Sequence, residues 1–166
     1  MADTYVQLTI DDSSPSVAYS PFRDTLGAPN PTAGWNPYYD PNGYAASPGQ
    51  LANGTSLHIT SLNGAALAVQ WTGTGVQLFG NTTNAAYTVA LDGVPISPFP
   101  NASTTATSPA PSASSASGLL ADIQGLPDVP HTITLTALIS SGSTSGSSML
   151  VFDRAVVLSS PVPTSK

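Results

Sequence analysis

Apolar residues recur at every second position along much of this chain, in runs separated by turn-forming residues. Successive side chains of a strand point to opposite sides, so a period of two marks a strand with one covered face. Val6, Leu8 and Ile10 alternate with Gln7 and Thr9 until Asp11-Asp12-Ser13-Ser14-Pro15 stops the run. Leu67, Val69 and Trp71 form a second run. Thr72-Gly73-Thr74-Gly75 reads as a turn returning through Val76 to Phe79, which predicts a hairpin. Tyr87, Val89 and Leu91 lead through Asp92-Gly93 into Val94 to Ile96, and Ile133, Leu135 and Ala137 alternate with Thr132, Thr134 and Thr136. Shorter strands are predicted around Val17 to Tyr19, Ser56 to Thr60 and Leu119 to Ile123, and a nearly continuous apolar one over Met149 to Leu158. Residues 21–50, rich in Pro, Gly, Asn and aromatics without a period, read as a long ordered loop.

About eight to ten short strands without a helical period predict an all-β fold, a β-sandwich in which two sheets hide their apolar faces against each other. Composition agrees. The chain contains no Glu, one Lys and two Arg, while Ser and Thr supply about a quarter of its 166 residues. Exposed helix faces usually carry Glu, Lys and Arg, whereas Thr favours strands and Ser favours turns. One domain is expected over residues 1–158, with a Ser/Thr/Pro-rich insertion at 97–117 and a tail, or the start of a stalk, at 159–166.

A net charge of −6 excludes a nucleic-acid partner, because phosphates are bound by Lys and Arg. No apolar run is long enough to span a bilayer. Without Cys there is neither a disulfide framework nor a thiolate metal site. Three N-x-Ser/Thr sequons, at Asn53, Asn81 and Asn101, each beside a turn-like segment, suggest glycosylation and hence an extracellular protein.

Three segments together resemble the extracellular domains of basidiomycete fungal surface proteins: Ile10 to Tyr19, Gly64 to Gly80, and Pro130 to Thr136. The resemblance covers most of residues 4–158. It implies a galactose-binding-like jelly roll and an extracellular place, as a secreted protein or the ectodomain of a single-pass membrane protein. It implies no established activity.

Three groups of residues are candidate sites. In Trp35-Asn36-Pro37-Tyr38-Tyr39-Asp40-Pro41-Asn42-Gly43-Tyr44, the rings of Trp35, Tyr38, Tyr39 and Tyr44 would stack on the C–H faces of a sugar while Asp40 bonds its hydroxyls. The competing reading folds Trp35 inward to pin the loop. In a jelly roll the first and last strands lie side by side, which would gather Asp11, Asp12 and Asp153; some galactose-binding-like domains hold a structural calcium there, and calcium takes carboxylate and carbonyl oxygens. Against it, Asp11 to Pro15 is good turn chemistry, and Asp153 has Arg23 and Arg154 as partners. His58 and His131 read as hydrogen-bonded structural positions.

Catalytic motifs are missing. Gly142-Ser143-Thr144-Ser145-Gly146 places Thr where the elbow nucleophile would sit, and no phosphate loop accompanies the single Lys166. The sequence therefore predicts a non-catalytic, carbohydrate-binding or cell-wall-contacting ectodomain without a cofactor, apart from the calcium alternative. A structural or adhesive surface module without a small ligand is the alternative, and an Asp-based carbohydrate-active enzyme the weaker one. Few charges guard the Thr-covered sheet edges, which leaves a homodimer open.

Overall fold

The computed structural model describes residues 5–22, 28–40, 43–44, 55–96, 118–140 and 148–160. Ten strands carry the fold: β1 (Val6–Asp11), β2 (Val17–Ser20), β3 (Asn36–Asp40), β4 (Gly43–Tyr44), β5 (Thr55–Thr60), β6 (Ala66–Thr83), β7 (Ala86–Leu91), β8 (Val94–Ile96), β9 (Gly118–Leu138) and β10 (Met149–Ser159). All named strand pairs are antiparallel. A 3-10 turn, Pro31–Ala33, is capped by the Asn30 side chain. Among the described residues there is no α-helix. The prediction of an all-β sandwich holds.

Two long strands make the sandwich. The first half of β6 pairs with β2 on one side and with residues 130–136 of β9 on the other. Its second half pairs with β10 and with residues 118–124 of β9. One layer is thus β2, the first half of β6, the second half of β9, β7 and β8. The other holds the remaining halves with β10, which is flanked by β1 along Arg154 to Ser159 and by β5 along Leu150 to Phe152. Leu67, Val69, Ile133 and Leu135 from the first layer meet Val76, Leu78, Leu150 and Phe152 from the second in one core. Thr132, Thr134 and Thr136 alternate with the buried residues of β9 as the period-two pattern requires.

Two expectations are corrected. Thr72 to Gly75 is not a hairpin turn: β6 runs straight through it, with a register shift against β9 between Gly73 and Gly75. The glycines serve close approach there. A Cβ at Gly73 would lie 2.1 Å from the carbonyl oxygen of Leu158, so the strand passes at a distance that only glycine permits. Likewise, Leu119 to Ile123 and Thr132 to Ala137 belong to one strand, not two. Within the ordered loop expected at residues 21–50, strand pairing forms: Asn36–Asp40 adds to β5, and Tyr38 and Tyr39 pair with Tyr44 and Gly43. Asp92-Gly93 is the tight turn expected, with φ of 50° and 79°, the two positive values that a two-residue hairpin of matching twist needs. The 97–117 insertion lies outside the described residues.

Candidate functional site

Trp35, Tyr38 and Tyr44 do not line up as a flat stacking platform. Trp35 is fully buried, and its ring lies 5.4 Å from that of Tyr19. Its place in the expected ligand site is therefore corrected: the apolar indole gains more from the core than from a wet loop. Tyr38 and Tyr44 are half-buried on Leu57, Ile59 and Val151. Their rings stand at 90° with centroids 5.0 Å apart, so they cannot lie flat under one sugar. Burial, and then the neighbouring Tyr38, pushes the Tyr44 hydroxyl up to about 12. Tyr39, one residue on, pairs with Ser56 across the strand and is half-exposed. Asp40 ends β3 opposite Thr55.

The acidic residues gather at a corner built by β1, β5 and β10. As expected, the first and last strands lie side by side, with Asp11 opposite Arg154. Between Phe152 and Arg154 the register of β10 against β6 shifts, which makes Asp153 a bulge residue. Its carbonyl accepts the Asp12 backbone N–H at 3.1 Å. Asp12 is completely buried. Its Oδ1 accepts the Ser56 hydroxyl at 2.5 Å, and its Oδ2 lies 2.7 Å from His58 Nδ1. Tyr19 stacks on the His58 ring at 4.1 Å and donates its hydroxyl to the Asp12 carbonyl. Burial, with Asp12 and Asp11 behind it, drives the Tyr19 hydroxyl far above its ordinary value.

The carboxylates at this corner are thus divided among protein partners. Asp11 accepts from Ser13, and Asp153 pairs with the Arg154 guanidinium, which lies 4.6 Å over the Phe79 ring. Among the described residues no three His, Cys, Asp or Glu side chains group so as to hold a metal ion. Ser56 donates to the carboxylate, whereas an activated serine would bond to the imidazole that takes its proton.

His131 is the second buried imidazole, and both its nitrogens face acceptors. Nδ1 lies 2.8 Å from Asp92 Oδ2, and Nε2 lies 2.9 Å from the Pro127 carbonyl. Asp92 Oδ1 accepts the Thr132 backbone N–H at 2.8 Å. The Asp92 bond first and the Pro127 carbonyl second raise the affinity of His131 for its proton. The same bond lowers that of Asp92.

A groove of about 420 Å³ opens at the edge of the sandwich, between β1 and the middle of β6. Leu8, Trp71 and Val157 supply apolar wall, while Ser14, Ser16, Gln70 and Thr72 add neutral polar groups. Among the described residues that line it, Asp11 is the one charged side chain. Leu8 shares the alternation that carries Ile10 into the core, yet it is 61% exposed, because among the described residues β1 pairs with β10 alone and no further strand flanks it. Sequence reasoning missed this groove. The run Val6, Leu8, Ile10 reads as core, and only the edge position of β1 turns part of that stripe into a surface.

Of the sequons, Asn81 stands half-buried in β6, its Oδ1 accepting the Thr82 N–H; Asn53 and Asn101 lie outside the described residues.

No protein-family model and no curated protein matches the chain. Its fold is similar to solved structures of carbohydrate esterases. A family two carbohydrate esterase from Cellvibrio japonicus superposes with a TM-score of 0.54 at 11% identity, over 96% of this chain and 37% of the other. A two-domain esterase active on acetylated mannans gives 0.55 at 11% identity, over 98% and 38%. The same enzyme type co-crystallised with mannopentaose gives 0.54 at 11%, over 94% and 37%. The likeness is one of fold, and this chain spans less than two-fifths of their length. The class defined here is an all-β sandwich of jelly-roll type.

Proposed function

We propose that the chain is a non-catalytic, extracellular domain that contacts carbohydrate, and that it does so through the groove between β1 and β6. The observation that carries this reading is the lining of the groove. Apolar side chains stand beside hydroxyl and amide groups, in a volume within the range of about 300–1,000 Å³ usual for ligand sites. Sugars present the same mixture, apolar C–H faces and neutral hydroxyls. The folds of the esterases support the reading, since the mannan-active enzyme was crystallised with a mannooligosaccharide. Ser56, bonded to Asp12 and not to an imidazole, supports a binding role over a catalytic one. Cell-wall polysaccharide is the proposed partner class.

The test is a glycan screen of the purified chain, run with calcium and again with a chelator. Binding that is indifferent to the chelator supports the groove. Binding lost on chelation points to the carboxylate corner. No binding to any glycan defeats the reading in favour of a structural or adhesive surface module. One observation favours that second reading: the rings of Trp35, Tyr38 and Tyr44 are spent on internal packing.

A further inference from the structure

Trp71, on β6, is a wall of the groove, and its cross-strand partner on β9 is His131. The two ring centroids are 5.4 Å apart, with planes inclined at 38°. Among the described residues the buried Trp71 indole N–H has no hydrogen-bond partner, so packing sets that ring. The His131 ring, by contrast, is held at both ends: by Asp92 at the turn between β7 and β8, and by the Pro127 carbonyl on its own strand. A neutral imidazole has one N–H and can donate to only one of these acceptors; the imidazolium donates to both. Asp92 is itself fixed through Thr132, which accepts the Asp92 N–H at 2.8 Å and returns its own to Oδ1.

We infer that His131 is a positioning residue for the groove: clamped as an imidazolium between Asp92 and Pro127, it fixes the Trp71 ring, and glycan affinity falls when His131 loses its proton. This rests on the carbohydrate reading of the groove. Around His131, Asp92 is the ionisable side chain that bonds it. From β6 it meets the neutral Trp71, flanked by Gln70 and Thr72. Asp128, three residues back on β9, is exposed. Asp11 is the carboxylate among the groove's described lining residues, and its side chain accepts from Ser13 rather than from His131. A cation 5.4 Å from an indole is also attracted to its face, which adds to the restraint on Trp71 while the proton is present.

The experiment follows tryptophan emission of the full chain from pH 5.5 to 8.5, because an imidazolium beside an indole quenches it. His131→Gln removes the titrating group, and Asp92→Asn removes the charge that holds the proton. Expected is a rise in emission with a midpoint above about 6.5. The midpoint should move down in Asp92→Asn, and the rise should vanish in His131→Gln. The imidazole resonances of the unmodified chain give the same midpoint without a variant. Over the same range, mannopentaose affinity should fall roughly five- to tenfold as the pH rises, the loss of one well-placed anchor, and stay level in His131→Gln. A flat emission profile, or a midpoint at or below that of an ordinary histidine, overturns the inference. So does affinity that stays level across an intact emission step. Failure to bind mannopentaose at every pH counts against the carbohydrate reading instead, and the emission step alone then decides whether His131 and Trp71 are coupled.

Discussion

Asp12 and His58 are 46 residues apart in sequence, yet the carboxylate and the imidazole meet at 2.7 Å inside the protein, with Ser56 on the other carboxylate oxygen. The pair ties the turn after β1 to β5, two strands that reach the same strand, β10, from the same side. A buried carboxylate without partners is costly, and both oxygens of Asp12 are used.

Truncating one side of such a pair leaves the other buried and unpaired, at a cost of about 3–5 kcal/mol. Asp12→Ala is therefore expected to lower the melting temperature by about 10 °C in a chain of this length. Asp12→Asn keeps the shape and should lose less. Thermal unfolding by circular dichroism measures both. Equal, small losses in the two variants would show that the carboxylate charge contributes nothing at this corner.

The Asp92–His131 clamp gives stability a defined pH profile. His131 holds its proton more tightly when folded, so its contribution is complete below about pH 6.5 and is lost as pH rises through the raised value. Asp92 releases its proton more readily when folded, so its contribution is present above about pH 4 and is lost as pH falls through the lowered value. The difference in melting temperature between the native chain and Asp92→Ala should be largest between about pH 4 and 6.5 and shrink on both sides. A difference that grows toward pH 8 would contradict the clamp.

Two glycines should behave very differently when replaced by alanine. At Gly80 a Cβ would meet the Val151 carbonyl oxygen at 2.0 Å and Leu120 Cδ1 at 2.7 Å, and the backbone of the neighbouring strand cannot give way. Gly80→Ala is expected to cost at least the upper end of overpacking, about 3 kcal/mol. Gly93 has open space around it and only its φ of 79° to defend, so Gly93→Ala should cost about 1–2 kcal/mol. Chemical denaturation of the two variants ranks them.

Strands were legible where alternation had a covered side. Ile133, Leu135 and Ala137 alternate with threonines because one face of β9 meets the core and the other meets solvent. Continuity was not legible. Gly73 and Gly75 have the composition of a turn, and the close approach of Leu158 that requires glycine there comes from β10, more than 80 residues away. The hairpin of Tyr38 and Tyr44 was hidden for a related reason, since its order comes from pairing with β5. For the site, side-by-side terminal strands could be foreseen from the jelly roll, but the partners of each carboxylate could not. Asp12 goes to His58 and Ser56, and Asp153 goes to Arg154, by contacts that only the folded corner creates.

Leu8 and Tyr39 separate the two candidate surfaces. Leu8 is mostly exposed, so Leu8→Ala should change stability by no more than about 0.5 kcal/mol. Were a sugar to cover it, the same substitution would remove about 1 kcal/mol of apolar contact, a fall in affinity of roughly fivefold. Tyr39→Ala, on the hairpin, should leave affinity unchanged if the groove is the site. Titration calorimetry with the glycan that binds most tightly reads both variants, with melting temperature as the check on folding. Loss of binding in Tyr39→Ala with Leu8→Ala intact would return the site to the aromatic segment. The opposite pattern would place it where the apolar stripe of β1 runs out of core to cover.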